Sequence, residues 1–399
     1  MLTGGELKLA VPAGPPEPGS MNDSQSRDPD AIDPKSTGLR CRVRIGSAEG
    51  ILAVVPHLLG FKPADSLVML GIGGAHARIR LAFRYDLPDP PEDELAADIA
   101  EHAAAVLVRQ HLGMAIVAGY GPGSAVTPLV DVVVPALREA GISVQDVLRV
   151  ESGRYWSYAC EDPGCCPPEG TPFDTSAHPA SAALAAAGLT VRADRAALAD
   201  TLAPVADAAA SMRAAVGRAR QRAGELTDLA AAAEGGDPFL PVADAGRRSV
   251  KQVITRYRRG GVLTDHEEMA WLGVTLGDLR VRDDAWARMD PGFHEAHQRL
   301  WVDLVRHLPT EFVAAPAALL AFTAWQGGDG ALASVAIERA LDADPAYSMA
   351  LLIADALHAG LPPTAARLPM TPKQVAASYA RRRLAGPSGL DEPRWKQAC

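Results

Sequence analysis

The chain of 399 residues is poor in aromatics, at 5%, and in asparagine, of which Asn22 is the only one; arginine far outnumbers lysine. An interior short of rings has to be filled with aliphatic side chains and alanine, which favours closely packed helices. The arginine-rich, asparagine-poor bias is that of a GC-rich coding sequence, so an arginine count alone says little about chemistry. Positive charge is lacking overall: the formal net charge of -9 argues against a nucleic-acid backbone as the main partner. Long apolar runs are missing too. The best apolar candidate, FVAAPAALLAFTAW, contains Pro316 and Thr323 and falls short of the roughly 18 residues a membrane helix needs. The first thirty residues show no basic segment followed by an apolar one, so a cytoplasmic product with no membrane association is expected. In that reducing setting the five cysteines are expected to be thiols.

What is present divides into parts. Residues 1–39 are rich in Pro, Gly, Ser and Asp and by composition cannot bury enough surface to fold; Met21 is a second candidate start. From residue 40 to about 190, short β-type runs alternate with helical runs. RCRVRIGS reads as a strand, Ser47 caps the helix AEGILAVVPHLLG, and DSLVMLGIG with ARIRLAFRYDLP form a hairpin through Gly73 and Gly74. A helix with acids in its first turn follows, then the buried-strand run MAIVAGYG, a helix with Thr127 as cap and Pro128 at its first position, and the strand SVQDVLRVE. This order predicts a three-layer α/β domain on a mixed, partly parallel sheet. Residues 191–362 read as an all-helical domain, and 363–399 as a C-terminal tail. Within the helical part, Gly328, Asp329, Ala333, Ala336, Ala340, Leu341, Asp344 and Pro345 resemble the spacing of a tetratricopeptide hairpin, in which small residues let two helices approach closely.

The least ordinary stretch is GRYWSYACEDPGCCPPEG, residues 153–170. Ser152 and Gly153 make a two-residue hairpin turn, with Glu151 and Arg154 facing each other across it. Strand alternation then puts Arg154, Trp156, Tyr158 and Cys160 on one face. An aromatic face with an arginine at its lip suits a flat or anionic ligand; the same face would equally serve as an aromatic cluster under the following loop. Cys160, Cys165 and Cys166 follow a C-x4-C-C spacing, unlike the paired C-x2-C of structural zinc sites, and adjacent cysteines point differently. A zinc site there needs a fourth ligand such as His178. A redox pair requires Cα atoms within about 7 Å, and small buried thiols bracing a Pro-rich loop satisfy the sequence as well.

Other segments offer less. Gly121, Gly123 and Ser124 in GYGPGSAVTP lie between a strand and a helix, where backbone N–H groups cradle anions, although Pro122 intrudes and the helix is expected to start only after Thr127. Asp65 and Ser66 open a strand, and a serine nucleophile would need a base such as His57. RRSVKQVITRYRR is an amphipathic helix whose Val250, Val253, Ile254 and Tyr257 line one face, while Arg247, Arg248, Lys251, Arg256, Arg258 and Arg259 stay off it. His294 and His297 miss the H-E-x-x-H spacing and read as surface residues.

The segments VVPHLLGFKPADSLVML, RYDLP, ESGRYWSYACEDPGCCPPEG and VRADRAALADTLAP together resemble an actinobacterial family, domain of unknown function 4192 (DUF4192), over about residues 43–360. The resemblance implies an actinobacterial cytoplasmic protein and supplies no activity. With no complete catalytic constellation, the residues point to a small-ligand-binding and protein-interaction module. Its ligand would lie at Glu151, Arg154, Trp156 and Tyr158 with Gly121, Gly123 and Ser124, and a protein partner would meet the helical domain. Two alternatives stay open: an enzyme using the Cys160, Cys165 and Cys166 loop as zinc or thiol site beside a Gly-rich anion hole, and a nucleic-acid-associated protein acting through the basic helix.

Overall fold

The computed structural model describes residues 7–12, 39–74, 77–89, 92–160, 162–233, 237–365 and 370–384. They fall into two compact units, residues 1–198 with 359–361, and residues 199–358 with 362–399.

The first unit is built on a mixed sheet. Its strands are β1 (Leu7–Pro12), β2 (Leu39–Ile45), β3 (Ser66–Gly73), β4 (Arg78–Asp86), β5 (Met114–Tyr120), β6 (Ser143–Glu151), β7 (Arg154–Ser157) and β8 (Thr171–Pro172), in the order β2-β1-β4-β3-β5-β6-β7-β8. The β5–β6 and β1–β4 pairs are parallel and the rest antiparallel. β1 falls in the segment whose composition predicts no ordered structure: averaging over 1–39 hides the short alternating run LKLAV. Residues 13–38 lie outside the described residues.

Four helices belong to this sheet. They are α1 (Ala48–Leu59), α2 (Asp93–Arg109), α3 (Gly123–Glu139) and α4 (Pro179–Ala186). Ser47 caps α1 through its hydroxyl, and Gly60 ends it at φ +75°. Leu67, Met69, Ala115, Val117 and Val147 pack on α2 and α3. On the opposite face Val68, Leu70, Ile116 and Ala118 are fully buried as well, and α4 joins α1 and β2 there. Covered on both sides, the central strands read as unbroken apolar runs.

α3 begins five residues before the expected start, at Gly123 rather than Pro128. Pro122 is the N-cap residue and its carbonyl accepts from the Ala125 and Val126 N–H groups, both at 3.0 Å; Pro128 therefore lies inside the helix. Val126, completely buried, rests on Gly119 of β5, where a Cβ would collide with it. Gly119→Ala should therefore lower stability by about 1–3 kcal/mol through overpacking, read as a reduced urea midpoint, and Val126→Ala in the same chain should recover part of it. An unchanged midpoint would contradict this close approach.

The second unit is helical. After α5 (Arg195–Ala199) it contains α6 (Ala209–Ala231), α7 (Leu240–Arg258), α8 (His266–Leu276), α9 (Leu279–Ala287), α10 (His294–His307), α11 (Ala314–Gln326), α12 (Gly330–Ala343), α13 (Ser348–His358) and α14 (Pro372–Leu384). α11 is buried from Ala314 through Trp325, as expected of a helix apolar all round. Ala333, Ala336 and Ala340 of α12 are fully buried, and α12 packs on both α11 and α13. The segment expected as a tail contributes to the same core. In α14, Val375 and Tyr379, spaced i, i+4, are buried, and the Tyr379 hydroxyl donates to Asp283 at 2.5 Å. No helix among the described residues is long and apolar enough to cross a membrane.

Candidate functional site

Ser152 and Gly153, at φ +50° and +73°, form the tight turn that joins β6 to β7 with the hand the sheet twist favours. A two-residue turn fixes the register: Glu151 faces Arg154, and Arg149 faces Trp156. The Arg149 guanidinium carbon sits 3.8 Å from the Trp156 ring centroid, and its NH1 lies 3.3 Å from Glu151 Oε2. The same guanidinium covers Gly123, where a Cβ would collide with it. Arg149 thus holds its charge against the first residue of α3, at the carboxyl ends of the parallel strands β5 and β6.

This end of α3 is electrostatically one-sided. The helix has no acidic residue in its first turn and no side-chain cap, so the N-terminal dipole faces outward together with the Arg149 cation. Gly121, at φ +151°, carries the chain from β5 into the turn and donates its N–H to the Val150 carbonyl at 2.9 Å. Ser124 is exposed. One turn on, Thr127 exchanges a 2.7 Å hydrogen bond with the Tyr158 hydroxyl.

Arg154 and Trp156 are engaged by the loop that follows them. Arg154 NH1 donates to the Gly170 and Glu169 carbonyls at 2.8 and 3.3 Å, and Trp156 Nε1 donates to the Pro168 carbonyl at 2.9 Å. Gly170, at φ +80°, lies against the indole so closely that a Cβ would clash with it. The structure therefore brings Glu151, Trp156, Tyr158, Gly121, Gly123 and Ser124 around one strand end, and turns Arg154 toward the loop backbone.

The loop also gathers the thiols. The Cys165 and Cys166 N–H groups both donate to the Asp162 carbonyl, at 3.1 and 2.7 Å, and Asp162 Oδ1 accepts from the Gly164 N–H at 2.9 Å. This helix-like turn sets adjacent side chains about 100° apart, where an extended strand would oppose them. The sulfur atoms of Cys160, Cys165 and Cys166 consequently lie within 4.8 Å of one another, and all three cysteines are free. Hydrogen bonds from Cys166 and the Asp162 backbone hold the Cys160 thiol below its usual range. The reciprocal bond with Cys160 and desolvation push Cys166 up to about 12. His178 is not a neighbour of this group; its Nδ1 accepts from the Ala180 N–H at 3.1 Å and caps α4.

The family model described as Domain of unknown function (DUF4192) matches residues 49–364. The chain belongs to this family. Comparison with curated proteins and with solved structures finds no match. The match spans the whole of this DUF4192 site, from the β3 start to the cysteine loop.

Elsewhere in the DUF4192 chain the nucleophile candidates are occupied. Ser66 is fully buried, donates to the Ala64 carbonyl at 2.5 Å and accepts from Arg84 at 2.6 Å, while His57 Nδ1 meets the Leu189 carbonyl at 3.1 Å. Ser211 lies 2.9 Å from His266 Nδ1 but also donates to the Ala208 carbonyl, and among the described residues no carboxylate hydrogen-bonds to His266. On α7, Val250, Val253, Ile254 and Tyr257 are buried. Arg256 makes a double hydrogen bond to Glu268, Arg247 pairs with Asp244, and Arg258 donates to the Arg288 carbonyl at 2.8 Å. A shallow depression of about 280 Å³ between Arg248, Lys251 and Lys373 remains cationic.

Sequence reasoning missed Arg149. The signal was available, because a two-residue turn at Ser152 and Gly153 pairs residue 149 with residue 156 by counting. The reading of His297 as a surface residue is corrected: it is 2% exposed, on the face of α10 that carries Leu300, Trp301 and Leu304.

Proposed function

We propose that this chain binds a small anionic ligand at the carboxyl end of β5 and β6, without catalytic machinery of its own, and presents its helical unit to a protein partner. The observation that carries the ligand reading is the Arg149 guanidinium, stacked on Trp156 and covering Gly123 at the uncapped N-terminus of α3. A cation beside the positive end of a helix is unfavourable unless negative charge joins them, and Glu151 at 3.3 Å is the one acid bonded to it among the described residues. A phosphate or carboxylate group would take the amide hydrogens of Gly123 and Ser124, the Ser124 hydroxyl and Arg149 together. Ligands of open α/β sheets gather at this end of the strands. Trp156 and Tyr158 would then bound the rest of the molecule. The partner reading rests on Leu351 and Leu352 of α13, which are 42% and 64% exposed.

The test is a titration of the full chain with inorganic phosphate, nucleoside phosphates and dicarboxylates, followed by calorimetry and thermal shift. At least one should bind, and Arg149→Met should weaken it about 10- to 100-fold, the loss of one charge-assisted contact. Arg248→Met, on α7, should leave binding unchanged. If none of these anions binds, or if Arg149→Met binds as well as the parent, the reading is wrong.

A further inference from the structure

Three sulfur atoms converge on the loop between β7 and β8, and nothing in the ligand reading uses them. A zinc ion with tetrahedral bonds of about 2.3 Å holds its sulfur ligands about 3.8 Å apart. Cys160, Cys165 and Cys166 already lie within 4.8 Å, so each sulfur has about 1 Å or less to move. The turn at Asp162 makes this possible by pointing two adjacent cysteines at one place, and Gly164 closes that turn with its N–H on the Asp162 carboxylate. The group is reachable from solvent: Cys165 is exposed, and Cys160 and Cys166 are partly so. Three apolar thiols bracing a loop would be expected to sit in its interior.

We infer that Cys160, Cys165 and Cys166 form a three-thiolate site for one zinc ion, whose fourth position is left to water or an external ligand. Each thiol gives up its proton to solvent on binding, and the three thiolates with a divalent ion carry one net negative charge. Among the described residues no fourth histidine, cysteine or carboxylate joins the group, the arrangement that keeps a coordination position open. The ion would also fix the loop whose Pro168, Glu169 and Gly170 carbonyls receive Trp156 and Arg154. Metal binding would therefore slow backbone exchange over residues 154–170. The inference is independent of the anion reading, because its readout is the metal itself.

The experiment is titration of the reduced, chelator-stripped full chain with Co²⁺, then Zn²⁺. One equivalent of cobalt should give a near-ultraviolet thiolate-to-metal band with the visible absorption of a tetrahedral ion, and zinc should displace both. Cys160→Ser, Cys165→Ser and Cys166→Ser should each weaken binding by more than the roughly 10- to 100-fold that changes outside the ligand set cost. Since Cys165 is exposed, its serine variant keeps the test valid if the other two fold poorly. A chain with both Cys41→Ser and Cys399→Ser should bind as the parent does. No thiolate band at equimolar cobalt, a band that follows Cys41 or Cys399, or a band that survives Cys165→Ser unchanged would overturn the site.

Discussion

Asp278→Ala should destabilise the helical unit by about 3–5 kcal/mol, the cost of breaking a buried ion pair by removing one partner, with Asp237 alone left to hold the Arg280 guanidinium. Asp278 stands at the N-cap of α9, where Oδ1 accepts from the Arg280 N–H at 2.8 Å. The same carboxylate binds the Arg280 guanidinium through Nε at 2.9 Å and NH2 at 2.5 Å, and Arg280 NH1 continues to Asp237 at 2.5 Å. Side-chain exposure is only 7% for Arg280, 3% for Asp278 and 11% for Asp237, so water cannot take over the lost contacts. The chain has two units, and a global unfolding curve sums over both. Hydrogen exchange over α7 and α9 is therefore the proper readout, with protection falling there and holding in β3 and β5. The double variant Asp278→Ala, Arg280→Met should cost less than the sum of the two single changes, because the contact between Asp278 and Arg280 is then lost only once, although Asp237 still loses its guanidinium. Additive costs would show that the pair is not coupled.

The second large effect is a pH dependence carried by His297. Its ring is buried on α10, and its Nε2 accepts from the Asp290 N–H and from Arg258, both at 3.3 Å, so the proton sits on Nδ1. Burial and the neighbouring Arg258 cation hold its pKa at about 4, below the ordinary 6.5. Asp290 opposes that shift and His294 adds to it. The folded chain therefore binds fewer protons at this site than the unfolded chain between pH 6.5 and about 4. Stability from this residue is complete above pH 6.5 and falls as the pH drops toward 4, by about 3 kcal/mol in all. His297→Gln, which keeps an acceptor for Asp290, should be less stable than the parent at neutral pH and lose that deficit by pH 4.5. Parallel urea curves of parent and variant at several pH values give the answer. A deficit that stays constant with pH would mean that His297 is not buried in its neutral form.

Much of the fold is legible in local patterns. The alternation of RCRVRIGS, the Gly73–Gly74 hairpin and the unbroken run MAIVAGYG depend on residues a few positions apart, and each became the expected strand. The start of α3 was misread for the same reason: Thr127 and Pro128 are strong local start signals, whereas the earlier start depends on Val126 packing against Gly119 of a different element. His294 and His297 share a helical face whether that face meets solvent or a core, and only the packing around Arg258 and Asp290 decided which.

The candidate site divides along the same line. The sequence alone determined that Arg154, Trp156 and Tyr158 alternate on one face beside a tight turn, that three cysteines crowd one short loop, and that Gly121, Gly123 and Ser124 lie between a strand and a helix. Only the tertiary structure decided that the loop folds back onto Arg154 and Trp156, that a turn at Asp162 aims adjacent thiols at Cys160, and that Arg149 reaches Gly123. Strand and turn periodicities are set by bonds between near neighbours. The meeting of a β6 side chain with the first turn of α3 is set by how the whole sheet and its helices pack.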